Sequence, residues 1–169
     1  MKITTTSVRR AEKRDISRIL ELLVQVNMVH HNGRPDLFRG PATKYTENEL
    51  EKIISDDGTP VFVCVDGNDT VLGYAFCIKR QFAGDQLMTD VKTLYIDDIC
   101  VDENARGMHV GSTVFDHVKK YAEDNGFYNI TLNVWNFNES AMKFYFSRGM
   151  KPQRTIMEMK LTGEPENDI

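Results

Sequence analysis

The alternation of hydrophobic and polar residues predicts six β-strands and four helices. Apolar residues recur at helical spacing from residue 16, after Thr46 and over 110–124, and a shorter helix is expected at 138–148. Alternating or continuous apolar runs predict strands at residues 3–9, 60–65, 70–80, 92–101, 128–135 and 154–161. The order of elements is therefore β-α-α-β-β-β-α-β-α-β.

Polar residues and glycines predict where these helices begin and end. Asp15 stands where a cap for the first helix is expected, and Thr46 opens a capping box for the second. Gly126 and Gly149 are expected to stop the last two helices. Residues 29–45 hold two prolines and lack periodicity, which predicts a long functional loop with at most a short helical piece.

This order of elements predicts a three-layer α/β fold. Three strands in succession, followed by two strand–helix–strand crossovers, give a mixed, mostly antiparallel sheet with helices on both faces. No repeat or linker divides the sequence, so we expect a single domain over residues 1–169, with a frayed tail at 162–169.

Composition and charge narrow the classes of function. Hydrophobic residues make up 41% and charged residues 27% of the chain, as in globular proteins. A net charge of −4 argues against a nucleic-acid partner and suits a cationic substrate better. No apolar run has the length of a signal peptide or a membrane span, and three cysteines without paired spacing indicate neither disulfides nor a zinc site. We expect a cytoplasmic protein without a membrane partner.

The segment from Leu94 to Ser112 predicts a strand, a polar turn and the start of a helix. A helix that begins at small residues presents unpaired backbone amides and the positive end of its dipole. Glycine lets a phosphate approach the backbone, and an arginine adds a fixed cation. The segment therefore predicts a phosphate or pyrophosphate ligand. The residues concerned are Arg106, Gly107, Met108, His109, Val110, Gly111 and Ser112.

Two consecutive carboxylates, Asp97 and Asp98, interrupt the apolar strand 92–101. Neighbouring strand residues face opposite sides of a sheet, so we expect at least one carboxylate to face a helix layer or a cleft. Burial and a neighbouring like charge both raise the pKa of a carboxyl group, which would suit it as a general base. The alternatives are a solvated strand end and a salt bridge.

The short helix at 138–148 carries Asn138 and Tyr145 two turns apart on one face. A tyrosine hydroxyl can act as a general acid toward a developing thiolate, although Tyr145 also suits an aromatic core beside Phe144 and Phe146. The four histidines show no metal-ligand spacing, so no metal site is expected. Cys100 is expected to be a small buried residue rather than a nucleophile.

The chain resembles the GNAT superfamily of acetyl-CoA-dependent N-acetyltransferases from about Val8 to Leu161. The pyrophosphate motif of that family, Arg/Gln-x-x-Gly-x-Gly/Ala, is met by Arg106 to Gly111, with His109 in place of the first motif glycine. Its later Asn-(x)6-Tyr pattern is met by Asn138 and Tyr145. The fold implied is the GNAT-like three-layer α/β fold.

The resemblance implies roles for these residues. Amides of residues 106–112 would hold the pyrophosphate of acetyl-CoA, and Asn138 would hydrogen-bond the cofactor arm. Tyr145 would protonate the departing thiolate. The strand 94–101 would splay from strand 128–135 and offer backbone groups to the pantetheine arm at Ile99, Cys100 and Val101.

The stretch 95–107 also resembles polyamine acetyltransferases, in which the position of Asp97 is a glutamate close to the substrate amine. This implies acetyl transfer to a primary amine of a small molecule by direct attack, with Asp97 or Asp98 taking the proton. Residues 29–45 and 81–91 are the expected walls of the amine site. Family resemblance also makes a homodimer plausible.

Two other functions remain open at this point. One is a non-catalytic acyl-CoA-binding regulatory module, which the histidine at position 109 would suit. The other is a protein or peptide N-terminal acetyltransferase, which requires an open groove beside strand 94–101. A loop 29–45 folded over that strand would instead favour a small amine. The sequence does not identify the acceptor.

Overall fold

The computed structural model describes residues 5–163 of the chain, which divides between Asn133 and Val134 into two compact units. In the first unit, β1 is Ser7–Arg10, β2 is Val61–Val65, β3 is Val71–Arg80, β4 is Thr93–Val101 and β5 is Asn129–Leu132. These strands form one sheet in the order β1-β2-β3-β4-β5. The first four are antiparallel, and β5 runs parallel to β4, so the predicted mixed, mostly antiparallel sheet is confirmed.

Three helices of the first unit cover this sheet: α1 (Ile16–Gly33), α2 (Glu47–Ser55) and α3 (Val110–Asp124). Because strand side chains alternate, Val63 packs into a core with α1 and α2, whereas Phe62 contacts α3. The Phe62 ring lies 4.8 Å from the ring of His117 and 5.1 Å from that of Tyr121. Helices therefore cover both faces, and the three-layer α/β fold is confirmed.

The second unit contains α4 (Glu139–Ser147), which agrees with the predicted helix at 138–148 to within one residue at each end. Gly149 follows it with φ 85°, a backbone conformation that favours glycine. No helix within residues 5–163 combines the length and apolar character needed to span a membrane.

The predicted capping box forms. The Glu49 amide donates to the Thr46 hydroxyl at 3.3 Å, and the Thr46 amide donates to the Glu49 carboxylate at 2.7 Å. Asp15 is the N-cap residue of α1, as expected, but its side chain makes no capping hydrogen bond there, because a short 3₁₀ turn at Lys13–Asp15 precedes the helix. The Asp15 carboxylate instead accepts from the Glu12 amide at 2.7 Å and pairs with Arg9 at 2.8 Å.

Several predicted boundaries differ from the structure. Helix α1 continues to Gly33, so the loop after it is shorter than predicted, because extending a formed helix costs little even without apolar periodicity. Strand β5 is shorter than the predicted 128–135. The first strand begins at Ser7, and part of the predicted 3–9 lies outside the described residues, as do residues 164–169 of the predicted tail.

The predicted strand at 154–161 is wrong: these residues are exposed and have no regular secondary structure. Their alternating sequence suits a strand, but a strand forms only when its backbone groups pair with a neighbour. None of the ladders among the described residues includes this segment.

Gly73 on β3 allows the start of α3 to approach the sheet closely. A Cβ atom at this position would lie 2.7 Å from the carbonyl oxygen of Cys100 and 2.9 Å from Cγ1 of Val110. Val110 is the first residue of α3 and is almost fully buried. The missing side chain therefore sets the distance between the N-terminus of α3 and the β3–β4 pair.

We expect Gly73→Ala to lower the free energy of unfolding by about 1–3 kcal/mol, because the added methyl group overpacks this contact. Gly67→Ala is the matched control, since no atom lies within 4 Å of a Cβ at that position. Urea denaturation of both variants measures the difference. Equal stability of the two variants would contradict the close approach at Gly73.

Candidate active site

Strand β4 contains a β-bulge at the paired carboxylates. Phe76 on β3 lies opposite Asp98, and the next residue of β3 lies opposite Ile96, so Asp97 is an extra residue in β4. A bulge interrupts the regular alternation of side chains and can re-aim a side chain beside a functional site. The bulge therefore allows Asp97 and Asp98 to lie on the same face of the sheet, against the expectation from a regular strand.

Both carboxylates lie on the face of the sheet covered by α1 and α2. Asp97 Oδ2 accepts a hydrogen bond from the Tyr45 hydroxyl at 2.7 Å, and Asp98 Oδ2 accepts from the Tyr74 hydroxyl at 2.9 Å. The rings of both tyrosines contact Phe76, with centroid distances of 5.6 and 5.0 Å. Tyr74 and Phe76 belong to the core beneath α1 and α2, and Tyr45 packs against it. The expectation of opposite faces is wrong because of the bulge.

The two carboxylates have different electrostatic surroundings. Asp97 is 15% exposed, and its Oδ2 atom also contacts Lys44 Nζ at 2.6 Å. Burial raises the pKa of Asp98 to about 6, and the negative charge of Asp97 adds to this effect. The hydrogen bond from Tyr74 and the charge of Lys44 oppose the rise. Asp98 is therefore ionised at neutral pH and can still accept a proton.

The ladder between β4 and β5 ends immediately before the bulge. Its last pair is Ile96 with Leu132, whereas β4 stays paired with β3 as far as Val101. Among residues 5–163, no strand pairs with the other edge of β4 from Asp97 onward. Such an edge offers backbone N–H and C=O groups to an extended ligand. The ladder thus ends just before the residues expected to meet the pantetheine arm, and the splay itself stays a prediction.

Within this edge, Cys100 is a core residue. Its side chain is almost fully buried, and Sγ lies 3.6 Å from the carbonyl oxygen of Leu22. Burial raises the pKa of the Cys100 thiol to about 12, so the thiolate is scarce at neutral pH. The preference for a structural cysteine over a nucleophile agrees with this position.

The predicted phosphate turn lies between a 3₁₀ turn at Glu103–Ala105 and the start of α3. His109 is the N-cap residue of α3 and makes no side-chain capping hydrogen bond. The first amide bonded within the helix is that of Thr113, which donates to the His109 carbonyl at 2.9 Å. The amides before it point out of the helix end, where an anion can accept from them. They are those of Val110, Gly111 and Ser112.

Two residues of this turn have left-handed backbone conformations. Gly107 has φ 80°, and His109 has φ 59° and ψ 16°. His109 thus occupies, in place of the first motif glycine, a conformation that favours glycine. Arg106 and Met108 are exposed beside them. The turn thus has two left-handed residues just before the start of α3.

The other two predicted site residues lie in the second unit. Asn138 is the N-cap of α4, and its Oδ1 atom accepts from the Ala141 amide at 3.2 Å. Its side-chain oxygen therefore has a structural role. Tyr145 is partly buried on α4, and its ring lies 5.4 Å from that of Phe144.

Comparison with known proteins identifies the family. The model of the family described as "Acetyltransferase (GNAT) family" matches residues 26–150. The chain belongs to the GNAT acetyltransferase family. A solved structure of a tetramutant of the BH1408 protein from Bacillus halodurans is 31% identical, with a TM-score of 0.87 over 92% of this chain and 99% of that one.

Two more distant structures share the fold of this acetyltransferase. The aminoglycoside acetyltransferase meta-AAC0020, from an uncultured soil metagenomic sample, is 16% identical with a TM-score of 0.70, covering 94% of this chain and 97% of that one. Glucosamine-6-phosphate N-acetyltransferase from Arabidopsis thaliana is 21% identical with a TM-score of 0.66, covering 94% and 99%.

Family membership makes the protein an acetyltransferase that uses acetyl-CoA as its co-substrate. The observed groups fit this molecule: the uncapped start of α3 suits its diphosphate, and the free edge of β4 suits its extended arm. Among residues 5–163, no group of three histidine, cysteine or acidic side chains is placed to hold a metal ion.

Sequence reasoning missed three residues around the carboxylates. Tyr74 was not singled out, and Lys44 and Tyr45 were included only in the range 29–45 expected to form a wall of the amine site. Tyr74 lies in an apolar strand run, where an aromatic residue signals only a core. Lys44 and Tyr45 lie in a segment without periodicity, so no pattern could place them against a strand 52 or 53 positions later.

We expect His109→Gly to raise the free energy of unfolding by up to about 1 kcal/mol, because glycine relieves the strain of the left-handed backbone. His109→Ala is the matched control, since it removes the imidazole but keeps Cβ. Urea denaturation measures stability, and calorimetry should show tighter acetyl-CoA binding by the glycine variant than by the alanine variant. A glycine variant weaker in both respects would contradict this account of the turn.

Proposed function

We propose that the protein transfers the acetyl group of acetyl-CoA to a primary amine of a small molecule, by direct attack in a ternary complex. One observation carries the proposal: two carboxylates on one face of β4 lie immediately after the end of its ladder with β5. In a GNAT acetyltransferase, this places proton-accepting groups beside the edge that suits the arm of acetyl-CoA. The proposal treats residues 1–169 as a single catalytic domain.

Asp98 is the proposed proton acceptor. Its pKa of about 6 leaves it ionised at neutral pH and basic enough to take a proton from an ammonium group, directly or through water. Asp97 already accepts from Tyr45 and Lys44, so its proposed role is to hold and orient the cationic amine. This assignment reverses the order of the two carboxylates implied by the resemblance.

Backbone amides and one tyrosine complete the proposed chemistry. Acetyl-CoA, when bound, supplies the acetyl group as an activated thioester. The amides at the start of α3 hold the diphosphate, and N–H groups on the free edge of β4 stabilise the developing oxyanion. Asn138 hydrogen-bonds the arm, and Tyr145 protonates the departing thiolate, as the resemblance implies. The fixed orientation of the two substrates supplies much of the rate enhancement.

The position of the loop at residues 34–46 supports a small acceptor. Lys44 and Tyr45 reach from this loop to Asp97, so it lies over β4 at the carboxylates. A protein or peptide substrate requires an open groove at this place. Two carboxylates also suit an acceptor with more than one cationic amine, and polyamines are the first class to test.

Cellular context and assembly form part of the proposal. The three cysteines are free thiols and buried, which supports a reducing, cytoplasmic location. A homodimer is supported by an apolar segment near the end of the described chain, whose large side chains are 80–90% exposed: Ile156, Met157, Met159 and Leu161.

The test is a thiol-release assay with a panel of amines across pH 6–9. Because Asp98 must be ionised to accept a proton, wild-type turnover should rise with pH through about 6. We expect Asp98→Asn to lower turnover by about 100-fold or more and to remove this rise. Asp97→Asn should mainly raise KM for the amine, and Tyr145→Phe should lower kcat.

Asp57→Asn is the matched control, since it removes a carboxylate that is 94% exposed in the turn between α2 and β2, and it should leave turnover unchanged. An unchanged KM for the amine in Asp97→Asn, or wild-type turnover in Asp98→Asn and Tyr145→Phe, would refute the assigned roles. Tight acetyl-CoA binding without thiol release for any amine would favour the regulatory module instead, for which His109 in the pyrophosphate turn is the supporting observation.

A further inference from the structure

A lysine of the protein itself lies in the proposed amine site. Lys44 Nζ contacts Asp97 Oδ2 at 2.6 Å, and the same oxygen accepts from the Tyr45 hydroxyl. The ammonium group also lies 5.5 Å from the centroid of the Tyr45 ring. Its charge lowers the pKa of Asp98, so it acts on both carboxylates.

The contact between Lys44 and Asp97 resembles the contact expected between the acceptor amine and Asp97. A lysine side chain ends in a primary ammonium group, and here that group is bound by a carboxylate next to the last pair of the β4–β5 ladder. An aromatic ring and a carboxylate together form a common binding site for an organic cation. Lys44 is 47% exposed on its loop, so a free amine can displace it.

We propose that Lys44 is an internal acceptor, and that the protein acetylates Lys44 Nζ when acetyl-CoA is bound and no small amine is present. This inference rests on the proposed function, because it uses the same carboxylates and the same acetyl donor. It adds a modification site on the loop at residues 34–46 and a means by which the enzyme limits its own activity.

The reaction balances without another reactant. Asp98 takes one proton from the Lys44 ammonium, and the free amine attacks the carbonyl carbon of the thioester. The new N–C bond forms, the C–S bond breaks, and coenzyme A leaves as a thiol after taking up a proton. The second proton of the attacking nitrogen is released to solvent, and the product is an uncharged amide on Lys44.

The modification changes the site in a defined way. An acetylated Lys44 carries no positive charge, so its ion pair with Asp97 is lost. The charge that lowers the pKa of Asp98 is also removed, so that pKa rises further. The acetylated side chain remains on the loop beside the carboxylates. We therefore expect slower turnover of external amines and an alkaline shift of the pH profile.

Lys120 provides an internal comparison. It forms an ion pair with Asp124 at 2.9 Å, but on the exposed surface of α3 rather than beside the end of the β4–β5 ladder. An ion pair with a carboxylate is therefore common to both lysines, and only Lys44 lies at the proposed site of acetyl transfer. Non-enzymatic acetylation should affect Lys120 at least as readily, because its side chain is 73% exposed.

The experiment incubates the full chain with acetyl-CoA alone and locates acetyl groups by intact mass and peptide mapping. We expect one acetyl group on Lys44, formed at least about tenfold faster than on Lys120, because the amine is already positioned.

The rate of Lys44 acetylation per molecule should not depend on protein concentration, because the reaction is intramolecular. A free amine that the enzyme acetylates should slow the acetylation of Lys44 by competing for the site. Asp98→Asn should slow the acetylation of Lys44 about as much as it slows acetyl transfer to free amines. Lys44→Arg keeps the cation and should abolish this modification.

The outcomes separate this inference from the proposed function. If external amines are acetylated while Lys44 stays unmodified, or is modified no faster than Lys120, the inference is wrong and the proposed function stands. If Lys44 is acetylated but no external amine is, the inference stands and the small-molecule acceptor is wrong. If neither is acetylated by protein that binds acetyl-CoA, both are wrong.

Discussion

The extra residue in β4 is the constraint on which the site depends. The bulge places Asp97 and Asp98 on one face, where α1, α2 and the loop between them can surround both. In a regular strand, one carboxylate would face α3 instead, and the two could not act on the same amine. The ladder to β5 ends at the residue before the bulge, so the carboxylates and a free backbone edge occur together. In the proposed mechanism, acid–base chemistry and ligand binding therefore depend on the same local irregularity.

The two carboxylates differ because their partners differ. The Asp97 carboxylate pairs with the Lys44 ammonium and accepts a hydrogen bond from the Tyr45 hydroxyl, and both partners lie on the same loop. These contacts also hold that loop against the sheet. Asp98 has one hydroxyl partner, Tyr74, and its burial raises its pKa into the range useful for proton transfer. Tyr74 and Phe76 thus support the site from the core, while Tyr45 and Lys44 close it from the loop.

Sequence patterns predicted the elements well where each carries its own signal. The helix 110–124, the capping box at Thr46 and the three central strands show periodicity or capping residues that act locally. The strand at 154–161 was wrong because pairing depends on a partner elsewhere in space. The bulge, the short β5 and the contacts of Lys44 were not predictable, since they arise from register and loop packing between distant segments. The turn at 106–112 could be predicted as a turn before a helix, because glycine, arginine and a helix start all lie within seven residues.

The most direct test is an NMR titration of the Asp98 side-chain carboxyl carbon, with Asp98→Asn used to assign the signal. We expect a midpoint near pH 6 that coincides with the rise of turnover in the wild-type protein. A midpoint near the ordinary value of about 4, with a rate profile that follows some other group, would contradict Asp98 as the general base.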